Sequence, residues 1–257
     1  MRIIHENLYQ FLNIFIPLLY LKNIHQETVI YSVNDSIKMK LRVGTYDKWA
    51  IYQIWKFGDY KTKGFHINPK DIIIDIGGHI GSFSIWAAKQ AHQGQVFTFE
   101  PNIENFNLLQ ENKRLNDVSN LTAFNLAVAH KKGEITLFNS KHQNMGHSFY
   151  EDDLSSKAIV QATSLAEILQ SNKIKKVDLL KIDAEGAEYQ ILLNTPAKIL
   201  NKVTKIILEY HDYLNHGYTY QDIKKYLSAC GFEVELDTNV FQRKVFKIGI
   251  LKAIRKN

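Results

Sequence analysis

The sequence predicts an α/β fold with a mostly parallel central sheet and helices on both faces. Three observations carry this. Short apolar runs, among them Ile72–Ile74, Gln95–Phe99, Val177–Ile182 and Lys205–Leu208, alternate with helical patterns from Asp71 onward. That alternation is the pattern of a doubly wound parallel sheet. Each run closes on or beside an acid, at Asp75, Glu100, Asp183 and Glu209, with His211 and Asp212 just beyond the last. If all four strands are parallel, these groups share one edge, where such folds bind their ligands. The third observation is the glycine turn Asp75-Ile76-Gly77-Gly78-His79-Ile80-Gly81, which leads into the helical pattern Phe83–Ala88.

The elements follow in order. Leu8–Leu21 is apolar, but Gln10, Asn13 and Pro17 interrupt it. It is too broken to span a bilayer and lacks a basic start, so an amphipathic helix packed on the domain or on a membrane surface is expected. Val29, Tyr31 and Val33, then Ile37, Met39 and Leu41, alternate with polar residues around Asn34-Asp35, which reads as a hairpin. The first sheet strand ends at Asp75 and its helix starts near Gly81. The second ends at Glu100, 25 residues past Asp75. Pro101 suits the first position of the next helix, which runs to about Asn116. A third strand is expected over Leu121–Val128, and an added antiparallel strand at Gly133–Phe138. The polar stretch Ser140–Ser156, with His142, Asn144, Met145, His147 and Tyr150, reads as a loop over the site. A strand ends at Asp183 with a helix from Glu185, and a final helix begins near Thr219.

The turn selects the ligand class. A dinucleotide site needs glycine at the second position of G-x-G-x-x-G so that the backbone can approach the pyrophosphate, and His79 stands there. An acid without a phosphate cradle suits a ligand bearing an ammonium group. S-adenosylmethionine has one, and Glu100 can accept hydrogen bonds from both ribose hydroxyls. Asp75, Gly77, Gly78, Gly81 and Glu100 are therefore the expected cofactor contacts.

DIGGHIG, FEPNIENFNLL, LLKIDAEGAEYQILL and IILEYHD, in that order, resemble the FkbM-type S-adenosylmethionine-dependent methyltransferases. The resemblance covers roughly Gly44 to Asp212, and the K-I-D-x-E-G-A-E segment is its most specific part. It implies the Rossmann-like class I methyltransferase fold and O-methylation of a sugar, glycan or related hydroxyl, so a small-molecule or glycan acceptor. Ser164-Leu165-Ala166 departs from the family's Thr-Leu-Asp, and Glu167 is expected to form a capping box with Ser164 instead. Asp183 is the expected catalytic residue, as base or as the group that orients the acceptor. His211 is the other candidate base, since its ordinary pKa lies near neutrality. Asp183, Glu209 and His211 could alternatively hold a divalent metal. No H-x-H pair or paired Cys/His spacing is present, so no metal is expected. Two other classes stand as alternatives: a cofactor-binding module without catalysis, and a nicotinamide oxidoreductase, which His79 disfavours.

Composition narrows the partners. Of the net charge of +6, Arg243, Lys244, Lys247, Lys252, Arg255 and Lys256 supply all six units, leaving residues 1–242 neutral. A folded body without a basic stripe argues against nucleic acid. The tail's interleaved apolar residues predict a closing strand from Val240 to about Ile250, with peripheral membrane contact as the alternative use of the termini. The single cysteine, Cys230, excludes an intrachain disulfide and reads as a packed helix-end thiol. The expected layout is an appendage over residues 1–42, a catalytic domain over 43–242 and a basic tail over 243–257. The expected location is cytoplasmic, where the cofactor is made.

Overall fold

The computed structural model describes residues 28–58, 60, 64–139, 147–148, 156–212, 217–237 and 247–256. The expected helix at Leu8–Leu21 and most of the Ser140–Ser156 loop lie outside them. An antiparallel hairpin comes first, β1 (Thr28–Asn34) and β2 (Ile37–Arg42). Its turn is Asp35-Ser36, one residue later than expected, because the Asn34 side chain accepts from the Ser36 amide at 3.0 Å. Then follow α1 (Asp47–Tyr52), a π-helical turn (Gln53–Phe57), β3 (Ile72–Ile76), α2 (Ser82–Gln90), β4 (Gln95–Phe99), α3 (Ile103–Leu115), β5 (Leu121–Phe124), β6 (Ala127–Val128), β7 (Gly133–Asn139), β8 (His147–Ser148) and β9 (Ser156–Thr163). The chain continues with α4 (Leu165–Ser171), β10 (Val177–Ile182), α5 (Glu188–Leu193), α6 (Ala197–Leu200), β11 (Val203–His211), α7 (Tyr220–Ala229), β12 (Phe232–Asp237) and β13 (Ile248–Arg255).

The main sheet has the order β12-β13-β11-β10-β3-β4-β5. Its five strands from β11 to β5 are parallel, and β13 runs antiparallel between β11 and β12. Both faces of the parallel part are covered, which is why its strands read as continuous apolar runs. Side chains alternate faces along each strand. Ile74, Leu180 and Leu208 enter one core with Ile168, Leu192 and Leu227, while Ile73, Leu179 and Ile207 enter the other with Ile85, Trp86 and Leu108. The hairpin shares the second core through Ile37, Met39 and Leu41. Its edge is satisfied by α3: Asn116 and Asn112, one helical turn apart, accept from Lys38 N (3.1 Å) and Lys40 N (2.6 Å) and donate to the carbonyls of the same residues.

Four boundaries differ from expectation. Leu121–Val128 is two strands, because Asn125 turns the chain by donating to the carbonyls of Glu100 and Pro101, both at 2.9 Å. β6 thereby leaves the main sheet for a second one of order β6-β9-β7-β8. Pro101 precedes the helix instead of opening it. Asn102 is the cap, accepting from the amides of Glu104 and Asn105. The helix after Asp183 starts at Glu188, not Glu185, because Glu185 (φ 47°) and Gly186 (φ 98°) are left-handed and hold a turn open. The closing strand runs over Ile248–Arg255, later than Val240–Ile250, and β12, which the sequence reading passed over, flanks it. Of the two uses considered for the tail, Ile248–Arg255 finishes the sheet, with Leu251, Lys252 and Ala253 buried. The Ser164–Glu167 capping box forms as expected, and Cys230 is buried at the end of α7. No helix among the described residues is long and apolar enough to cross a membrane.

Candidate active site at the switch point of the sheet

Chain order reverses between β3 and β10: β4 and β5 lie to one side of β3, and β11 beyond β10 to the other. In open α/β sheets the crevice beyond the carboxyl ends at such a point receives the ligand. Here it is walled by the glycine turn after β3 and by Asp183 after β10. The two are in close contact. The Asp183 amide donates to the Ile76 carbonyl at 2.9 Å, and a Cβ on Gly77 would stand 1.8 Å from the Asp183 carbonyl oxygen. A Cβ on Gly78 would stand 2.3 Å from Thr98 Oγ1. The glycines at these positions let two strand ends and a helix start converge.

Asp75 is not at the mouth of this crevice. It lies within β3 with 0 % exposure. Ser84 and Thr98 donate to its Oδ2, and Lys181 Nζ is 3.2 Å from its Oδ1. The expected direct contact with an ammonium group is corrected accordingly: the carboxylate anchors α2 and β4 to β3 and partners a buried lysine. Lys181 is a hub, donating to the Gly77 carbonyl at 2.9 Å and standing 3.5 Å from Asp183 Oδ2. Burial pushes its pKa down, but Asp75 and Asp183 outweigh this and hold it above the ordinary value.

Glu100 follows the end of β4, where the sequence puts it, and is nearly buried. Its Oε2 accepts from the His79 amide (2.8 Å), and its Oε1 from the Asn102 amide (2.9 Å) and Asn105 Nδ2 (3.4 Å). A carboxylate offers about four acceptor sites. Three are taken, so capacity remains for about one hydroxyl where two were expected. Burial pushes the carboxyl pKa up, against the opposing pull of His79 and these hydrogen bonds.

His79 is tied on its other side. Its Nε2 is 3.2 Å from Asp47 Oδ1, and Asp47 also holds Arg42 through Nε (2.9 Å) and Nη2 (2.8 Å). Burial alone would push the Asp47 carboxyl up. The bonds to His79 and Arg42 outweigh it and hold it well below the usual carboxylate range. Arg42 Nη2 reaches Asn105 Oδ1 at 2.7 Å. The end of the hairpin, the glycine turn and α3 are thus one polar unit.

Across the crevice Asp183, Glu185 and His211 converge. One ligand atom of each lies within 4.8 Å of the others, close enough to share one small cation. The trio weighed as an alternative metal site, Asp183, Glu209 and His211, differs in one member, since Glu185 stands in place of Glu209. The left-handed turn at Glu185 brings its carboxylate to 3.6 Å from His211 Nε2. Burial raises Glu185 to about 8, with His211 opposing and Asp183 adding to the rise. Burial, then Asp183, raises Glu209 to about 7. Burial would lower His211, but Glu185 and Glu188 hold it well above its ordinary value. Asp183 itself keeps 30 % of its side chain exposed.

The sequence reading missed Lys181 and the Arg42–Asp47 pair. Lys181 carried a signal: a charge inside the fully buried run Leu179–Ile182 needs buried partners. Arg42 and Asp47 carried none, because they meet His79 only through the fold.

The chain is 24% identical over 190 residues to Methyltransferase 1 of Beauveria bassiana, covering 66% of this chain and 75% of that protein. It is 24% identical over 207 residues to the hexuronic acid methyltransferase AglP of Haloferax volcanii, covering 78% and 82%. Its fold is shared with the Methanococcus jannaschii fibrillarin pre-rRNA processing protein, with a TM-score of 0.50, 13% identity and coverage of 93% and 87%. The methyltransferase FkbM domain model matches residues 75–234, from the acid that opens the glycine turn to β12, and the chain belongs to that family of methyltransferases.

Proposed function

We propose that the protein methylates a hydroxyl on a sugar, glycan or related metabolite. Methyl transfer follows from the family, and S-adenosylmethionine is its methyl donor. The residues of the crevice fit that donor. Glu100 keeps acceptor capacity for a ribose hydroxyl, and no lysine or arginine stands in the glycine turn to call for a phosphate. Gly77, Gly78, Gly81 and Glu100 would hold it, with Asp75 acting from behind. When bound, it supplies an electrophilic methyl group on a sulfonium.

The observation that carries the reading is the convergence of Asp183, Glu185 and His211 beside the glycine turn. A sulfonium needs little further activation, so the protein's task is to align the nucleophile and remove its proton. Asp183, held by Lys181 and partly open, would accept a hydrogen bond from the acceptor hydroxyl and orient it. His211, in the neutral form it reaches above its raised pKa, would take the proton. The relative AglP, a hexuronic acid methyltransferase, supports a sugar as the acceptor class. The test is methyl transfer from labelled S-adenosylmethionine to a panel of sugars, glycans and amines. Label in a base-labile ester or an N-methyl product, with none in an ether, would overturn the hydroxyl assignment.

A further inference from the structure

We propose that Glu188 is a positioning residue that fixes His211 with its proton on Nδ1, so that Nε2 is the nitrogen presented to the acceptor. The proposal rests on the O-methylation reading for what Nε2 does, but not for the tautomer itself.

Glu188 is the first residue of α5, and its side chain has 0 % exposure. All its acceptor capacity points inward. Oε1 accepts from the His211 backbone amide at 2.9 Å and lies 3.0 Å from His211 Nδ1. Oε2 accepts from the Gly186 amide at 2.8 Å. The carboxylate therefore serves one residue of the Asp183–Ala187 turn and two atoms of the end of β11. A carboxylate only accepts, so a neutral His211 satisfies this contact only as the Nδ1–H form. Nε2 is then the basic atom, and it faces Glu185 at 3.6 Å. Among the acids that face the ring are Glu185, Glu188, Glu209 and Asp183.

A second contact fixes the same strand end. Tyr189, the next residue of α5, donates to Asp212, which also accepts from the Tyr220 amide at 2.8 Å. Neighbouring residues of α5 thus grip neighbouring residues of β11, and the ring has little freedom to turn over. In the reaction, the acceptor oxygen bonds the methyl carbon while the carbon–sulfur electron pair returns to sulfur. From the neutral form of His211, populated above its raised pKa, the hydroxyl proton passes to Nε2, and Glu188 stabilises the resulting imidazolium. A buried carboxylate behind a histidine plays this part in other proton transfers.

The experiment is nitrogen-15 NMR of histidine-labelled full-length protein, with the His211 signals assigned by their loss in His211→Gln. Titrated above its raised pKa, native His211 is expected to show a pyrrole-type Nδ1 and a pyridine-type Nε2. The opposite tautomer, or an equal mixture, overturns the proposal without any variant having to fold. Glu188→Gln has one acceptor oxygen for three donors. It should erase the preference and lower kcat by roughly 10²-fold while acceptor KM and S-adenosylhomocysteine affinity stay within about threefold. Glu188→Asp should recover part of kcat. A folded Glu188→Gln protein that keeps both native tautomer and native kcat also overturns it. If native protein binds cofactor but methylates no hydroxyl, the O-methylation reading fails, while the tautomer result still decides the role of Glu188.

Discussion

The two walls of the crevice are both lined with carboxylates, yet they are built oppositely. On the β3–β4 side the acids are largely matched, with capacity for one further donor left on Glu100. Asp75 is matched by Ser84, Thr98 and Lys181, and Glu100 by three N–H donors. On the β10–β11 side Asp183, Glu185, Glu188 and Glu209 crowd around His211, and the lysine of that side, Lys181 of β10, is shared with Asp75 of the other wall. Satisfied groups make a rigid cradle, which suits binding. Glu185 and Glu209, crowded by like charges, hold raised pKa values near neutrality, which suits moving a proton. One wall should therefore control affinity and the other turnover.

The sharpest break in that division would come from Asp183→Asn. It keeps the shape and removes the charge, so turnover should fall by about 10²–10⁴-fold. Affinity for S-adenosylhomocysteine, read by calorimetry, should stay within about threefold, since the 3.5 Å contact with Lys181 Nζ can pass to the amide oxygen. A variant with near-normal turnover alongside a dead His211→Ala would move the central role to the histidine.

A loss on both walls is expected from Gly77→Ala. Its Cβ would meet the Asp183 carbonyl oxygen at 1.8 Å, at a φ of 81°. Backbone has to shift, at a cost of about 1–3 kcal/mol or more. Cofactor affinity should fall by roughly 10–100-fold, and the melting temperature should fall with it. Because the clash spans both walls, this substitution should also lower kcat. An unchanged kcat at saturating cofactor would show the walls to be less coupled than the geometry requires.

The contrast also explains what the sequence could and could not reveal. The parallel strands, the glycine turn and Glu100 were legible because local patterns determine them: buried runs, a turn, and an acid at a strand tip. The placement of Asp183 and His211 at strand ends was legible in the same way. Three features were not. Asp75 belongs to the interior because the strand runs on to Ile76. Glu185 joins His211 only through a left-handed turn that helix-start rules do not anticipate. β12 was passed over because the register of β13, between β11 and β12, is a long-range pairing.

A smaller effect on the binding wall is expected from Glu100→Ala. Losing a hydrogen bond from a ribose hydroxyl to a charged acceptor costs roughly 1.5–3 kcal/mol, so affinity should drop more than tenfold. The variant also strands the amides of His79 and Asn102, so the melting temperature should be read beside the calorimetry. Unchanged affinity in a folded variant would remove Glu100 from the site.

The smallest effect tests the turnover wall without any acceptor. Glu209 is raised to about 7 in the folded protein by burial and by Asp183, against an ordinary value near 4.5. The sign follows from proton counting. Between those two values the folded state holds more protons than the unfolded one, so this group's contribution to stability falls as pH rises through that window. At pH 5 native Glu209 is mostly protonated and resembles glutamine, so Glu209→Gln should melt with the native protein. At pH 8 the native carboxylate is charged beside Asp183, and the variant should melt a few degrees higher, about what 1 kcal/mol gives a chain of this size. A variant destabilised equally at both pH values would mean that Glu209 is held by bonds that favour its charge, and that its wall is as well matched as the cradle opposite.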